Sequence, residues 1–80
     1  MFYVYILRSV KDPRKTYVGF TNNIANRLDT HNTGGSIYTA KYCPWKLLGY
    51  TTFFDETRAI AFEQYLKSGS GKSFSARHFF

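Results

Sequence analysis

Phe2-Tyr3-Val4-Tyr5-Ile6-Leu7-Arg8 and Thr16-Tyr17-Val18-Gly19-Phe20-Thr21 decide how this chain folds. Both runs are aromatic and β-branched, a composition suited to a pleated, half-buried surface. Between them lies the short, mostly polar stretch Ser9 to Lys15. Its Asp12-Pro13 is a turn signal, since proline pre-sets its backbone angle and cannot donate to a ladder. So short a connection predicts an antiparallel hairpin. Gly19, inside the second strand, predicts a bulge or a close backbone approach. Along the first strand, Tyr3 and Tyr5 fall on one sheet face and Val4 and Ile6 on the other.

Beyond the hairpin, Asn22-Asn23 can cap a helix, and Ile24 and Leu28, four apart, give it an apolar stripe. Gly34-Gly35 ends it. Asn23, Arg27 and His31, each four residues from the next, share a polar face predicted to look outward. Residues 36–45 read as irregular, with Pro44 barring a long element. Residues 46–54 form a third strand candidate interrupted by Gly49. Asp55 then caps a second helix, Glu56 suits its positive end, and Ala59, Phe62 and Leu66 make its buried stripe. Gly69 stops this helix after Ser68. The order β-β-α-β-α predicts one α+β domain over residues 1–80, a small three-stranded antiparallel sheet flanked by helices.

The 80 residues carry 11 Lys plus Arg against 5 Asp plus Glu, a net charge of +6. An apolar fraction of 44% excludes disorder. No apolar run approaches the roughly 20 residues of a membrane span, and the start lacks the basic leader of a signal peptide. Cys43, the single cysteine, cannot close a bridge within the chain. A cytoplasmic protein without membrane attachment is the expectation. The positive balance invites a polyanionic partner, and Lys41, Lys46, Arg58, Lys67, Lys72 and Arg77 are spread as tracking a phosphate backbone requires. Tyr42 and Trp45 either stack on an unpaired base or cover a core edge. Cys43, His31 and His78 lack the paired spacing of a zinc site. Gly69-Ser70-Gly71-Lys72-Ser73 is no phosphate loop, because Leu66 stands where the leading glycine is required and a helix precedes it.

Taken singly, the tyrosines read as ordinary strand residues, Arg27 and His31 as solvated helix residues, and Glu63 as the partner of Lys67. Taken in order, Tyr3-Val4-Tyr5, Tyr17-Val18-Gly19, Arg27, His31 and Glu63 resemble the GIY-YIG nuclease superfamily. The likeness is closest to small single-domain members related to the amino-terminal nuclease domain of the repair excinuclease. It implies a metal-dependent endonuclease that hydrolyses DNA phosphodiester bonds, with DNA repair as its setting. By that resemblance Tyr5 activates the attacking water, and Tyr17 positions the phosphate or the water. Arg27 stabilises the phosphorane through its forked donors. His31 donates to a phosphate oxygen or relays a proton. Glu63 holds Mg²⁺ or Mn²⁺, and Mg²⁺ is often bound by one carboxylate, waters and substrate phosphate. A tyrosine of ordinary pKa about 10 is a poor base at neutral pH, so neighbouring cations are expected to favour its phenolate.

Lys41, Lys67, Lys72 and Arg77 are the expected nucleic-acid contacts, and the expected partner is DNA, branched or damaged forms included. The pattern departs from the superfamily in two places. Tyr3 replaces the leading glycine of the first signature, and residues 64–80 contain no asparagine, where many members carry one. Ser68, Ser70 or Lys72 could take over its contact. Two other readings share the same surface: a module that grips nucleic acid without cutting it, and a catalytic chain whose specificity comes from a protein partner.

Overall fold

The structure, a computed structural model, describes residues 1–35 and 37–68. Strands β1 (Phe2–Ser9) and β2 (Thr16–Thr21) form the predicted antiparallel hairpin. Helix α1 (Ile24–Asn32) follows, then the one-turn helix α2 (Ile37–Ala40), strand β3 (Trp45–Phe53) and helix α3 (Glu56–Lys67). The sheet order is β2-β1-β3, all antiparallel, so the first strand is central and the third pairs with it on the far side. The fold is the expected α+β arrangement. Residues 36–45 are more regular than expected, since α2 occupies part of them and β3 begins at Trp45.

Local chemistry explains the boundaries. Lys15 N–H closes a turn on the Asp12 carbonyl at 2.9 Å, and the Arg14 guanidinium grips the Asp12 carboxylate at 3.1 Å. The Asn23 side chain accepts from Asn26 N–H at the start of α1, and Gly34, at φ 81°, takes the left-handed conformation just past its end. Asp55 caps α3 by accepting from Thr57 N–H at 2.9 Å.

Each sheet face has its own apolar cluster. Val4 and Ile6 pack with Ala59 and Leu66 of α3, joined by Phe53 and Phe62. Tyr5, Leu7 and Trp45 form the opposite cluster, against Leu28 of α1 and Leu47. A fully buried Ile6 or Leu7 contributes about 1.5–3 kcal/mol relative to exposure. The interruption predicted at Gly49 is a register shift in the β1–β3 ladder: Ile6 faces Gly49 while Leu7 faces Leu47, leaving Leu48 as the extra residue.

Candidate active site

Tyr5 sits at the middle of the central strand, buried, with Gly19 directly opposite on β2. The glycine is a close approach and not a bulge, because a Cβ built there overlaps the Tyr5 ring and hydroxyl. Only a bare backbone lets the phenol lie across β2. The Tyr5 hydroxyl then meets His31 Nε2 at 2.9 Å.

His31 corrects the outward-facing reading of α1. It is 2% exposed, in contrast to Asn23 and Arg27 two turns and one turn earlier, which are open to solvent. Its Nδ1 lies 2.7 Å from the hydroxyl of Thr39, itself fully buried on α2. The Thr39 carbonyl accepts the Trp45 indole N–H at 2.7 Å. The Asn32 side chain accepts from Trp45 N–H at 2.5 Å and donates to the Trp45 carbonyl, locking the end of α1 to the start of β3. Trp45 is therefore a buried scaffold residue and does not offer its ring to a base. Tyr42, half-buried, meets Trp45 edge-on with the Lys15 ammonium 5.5 Å over its ring.

Tyr17 closes the cluster, its ring centroid 4.9 Å from His31 and 6.3 Å from Tyr5. Arg27 and Glu63 both act on the Tyr5 hydroxyl electrostatically, so five of the residues singled out in the sequence converge. Glu63 keeps a fifth of its side chain in solvent, and Lys67 Nζ lies 3.6 Å from its carboxylate and 6.0 Å over the Tyr17 ring. The Glu63–Lys67 pair is thus formed, and it is formed at the site. Lys41 is exposed, whereas Lys72, Arg77, His78 and the Gly69–Ser73 segment lie outside the described residues.

The expected phenolate is not what this pocket favours. Burial pushes the Tyr5 pKa well above its ordinary value, Tyr17 and Glu63 push the same way, and Arg27 opposes without prevailing. Burial, then Arg27, holds the His31 pKa below its ordinary value. Near neutral pH the pair is a phenol and a neutral imidazole. With its proton on Nδ1 donated to Thr39, the imidazole accepts the Tyr5 O–H at Nε2; the other tautomer reverses both bonds. Among the described residues no three His, Cys, Asp or Glu side chains gather as a metal cluster. The donor set here is one carboxylate, which fits a hard cation completed by water and phosphate. Sequence reasoning missed Thr39, because nothing about a threonine in an irregular-looking stretch marks it as the partner of a histidine on another element.

Comparison with known proteins gives the family of the chain. The family model described as the GIY-YIG catalytic domain matches residues 1–76. A UPF0213 protein of Clostridium perfringens is 41% identical over 68 residues, 84% of this chain and 71% of its own length. A UPF0213 protein of Bacillus licheniformis is 42% identical over 72 residues, 89% of this chain and 72% of its own. The structure-specific endonuclease subunit SLX1 homolog of Giardia intestinalis is 34% identical over 65 residues, 76% of this chain but 18% of that protein's length. With the two tyrosine signatures paired across β1 and β2 and the helical arginine beside them, the chain belongs to the GIY-YIG catalytic domain family.

Proposed function

We propose that the protein is an endonuclease that hydrolyses DNA phosphodiester bonds by attack of water, with branched DNA as its substrate class. The observation that carries this reading is the buried Tyr5–His31 hydrogen bond at the centre of a cluster containing Tyr17, Arg27 and Glu63. The name of the Giardia intestinalis relative, a structure-specific endonuclease subunit, motivates both the branched substrate and a protein partner that supplies specificity.

Proton movement follows from the neutral pair. The attacking water gives its proton to the Tyr5 oxygen as the phenol proton passes to His31 Nε2, so no phenolate forms beforehand. In the tautomer whose Nδ1–H is donated to Thr39, Nε2 is free to accept. The imidazolium produced is costly in a buried site beside Arg27, and a phosphate bound there supplies the negative charge that offsets it. Arg27, exposed one turn before His31, presents a fork to the phosphate oxygens. The half-buried Tyr17 fixes the imidazole by packing on it. Glu63 would hold a Mg²⁺ or Mn²⁺ ion, displacing Lys67 from its carboxylate. When bound, that ion neutralises charge on the phosphate and assists the leaving oxygen.

Metal-dependent nicking of supercoiled plasmid tests the reading. Wild type is expected to cut with Mg²⁺ or Mn²⁺, and Tyr5→Phe and Glu63→Ala to lose on the order of 100-fold or more in rate while keeping DNA affinity and fold. Tight wild-type binding without cutting under any divalent ion would instead identify a binding module.

A further inference from the structure

Next to the Tyr5–His31 cluster runs a concavity lined by Tyr3 of β1, Asn22 and Asn23 at the entry to α1, Ile24, Ala25 and Tyr50 of β3. It shares the face that carries Tyr5. Tyr3 lies two residues along the strand from Tyr5, roughly 6.6 Å. Asn23 lies four residues before Arg27 on α1, about 6 Å. A chain of phosphates bound at Arg27 and Tyr5 therefore passes the groove one step on.

The register shift in β3 is what builds this groove. Leu47 packs with Tyr5 and Leu7, whereas Phe53, six residues later, packs with Val4 and Ile6 on the opposite face. Strict alternation puts residues 47 and 53 on one face, so the extra residue at Leu48 reverses the pattern. That reversal turns Tyr50, opposite Tyr5 in register, onto the catalytic face. Its ring meets Tyr3 edge-on at 5.8 Å and remains 53% exposed. The six lining residues include no Asp, Glu, His, Lys or Arg. Asn23 spends its side-chain oxygen on capping Asn26 N–H and keeps its NH₂ group to donate.

Two aromatic surfaces, donating carboxamides and no charge suit a flat, neutral, hydrogen-bonding group. Such surroundings are how unpaired bases are commonly held. We propose that the groove receives an unpaired nucleobase of the substrate strand, one nucleotide from the phosphate bound at Tyr5 and Arg27. The inference rests on the nuclease reading of the neighbouring pocket and names the feature of DNA it selects: a strand already unstacked beside the cut.

The test is fluorescence anisotropy with a labelled flap oligonucleotide in EDTA, with a single abasic site walked across the junction. Wild type is expected to lose about tenfold in affinity when one particular base is absent. Tyr50→Ala is expected to lose the same factor on intact DNA and to become indifferent to that abasic position, while Tyr50→Phe stays within about twofold of wild type. Wild-type affinity in Tyr50→Ala overturns the proposal, as do losses that simply multiply at every abasic position. Cleavage of the same flap by wild type in Mg²⁺ separates the two claims. Indifference of Tyr50→Ala to the abasic position, without cleavage by wild type, removes the nuclease reading and leaves the groove. Cleavage without that indifference removes the groove alone.

Discussion

Gly19 and Tyr5 face each other across β2 and β1, and the space the glycine leaves is the space the phenol fills. Gly19→Ala is expected to displace the Tyr5 ring, costing about 1–3 kcal/mol of stability and most of the nicking activity; urea midpoints and plasmid assays read both. Thr39 acts one step further out. Thr39→Val leaves His31 Nδ1 facing a methyl group without its hydrogen bond, a loss of about 1–3 kcal/mol, whereas Thr39→Ser keeps the hydroxyl and is expected to recover the wild-type pH profile of cutting. The pair also sets a pH window for stability. His31 has its folded pKa below the unfolded value of about 6.5, so the unfolded chain binds the extra proton first and stability falls as pH drops below that point. Tyr5 is shifted upward, so its contribution holds below about pH 10 and is lost at higher pH. Denaturant midpoints across this range check both limbs, and His31→Gln is expected to flatten the acid one. Tyr5, Tyr17, Arg27, His31 and Glu63 could be singled out in sequence only together, through a family resemblance carried by the order of the pieces. The burial of His31 was not legible, since one helix face holds both the exposed Arg27 and the buried His31, and it is contact with Tyr5, Tyr17 and Thr39 on other elements that encloses the latter.

At the scale of elements, caps and turns were the most legible features. Asn23 and Asp55 do cap their helices, and Asp12-Pro13 does turn the hairpin, because each depends on neighbours within a few residues. Asp55→Ala is expected to lower stability by about 1 kcal/mol with little change in nicking, since the cap lies about two turns from Glu63; thermal melting measures the first and the plasmid assay the second. The one-turn helix α2 was not legible. So short a segment carries too little periodicity to register, and its place depends on Thr39 meeting His31 and Trp45, both on other elements. Gly49 announced an irregularity, yet its consequence, the turning of Tyr50 onto the face that carries Tyr5, emerges only once β3 is set against β1.

For the whole molecule, the sheet divides the work. The face under α3 supplies apolar burial, and the other face carries the phenols, the imidazole and the groove, with Glu63 of α3 acting on the Tyr5 hydroxyl. The element order could be read from local signals, whereas the central position of β1, which gathers residues 5, 17, 27, 31 and 63, is a long-range pairing that no local signal encodes. Among the described residues no helix is long and apolar enough to cross a membrane. The claim on which the account turns is that Tyr5 passes a proton to a neutral His31 and is never a phenolate beforehand. A single-turnover pH–rate profile of plasmid nicking, run from about pH 5 to about pH 10, tests it most directly. The predicted profile rises only through the acid limb, as His31 becomes neutral, and is then level. A rate that instead climbs about tenfold per pH unit through the alkaline range, as a base ionising far above neutrality requires, would contradict it.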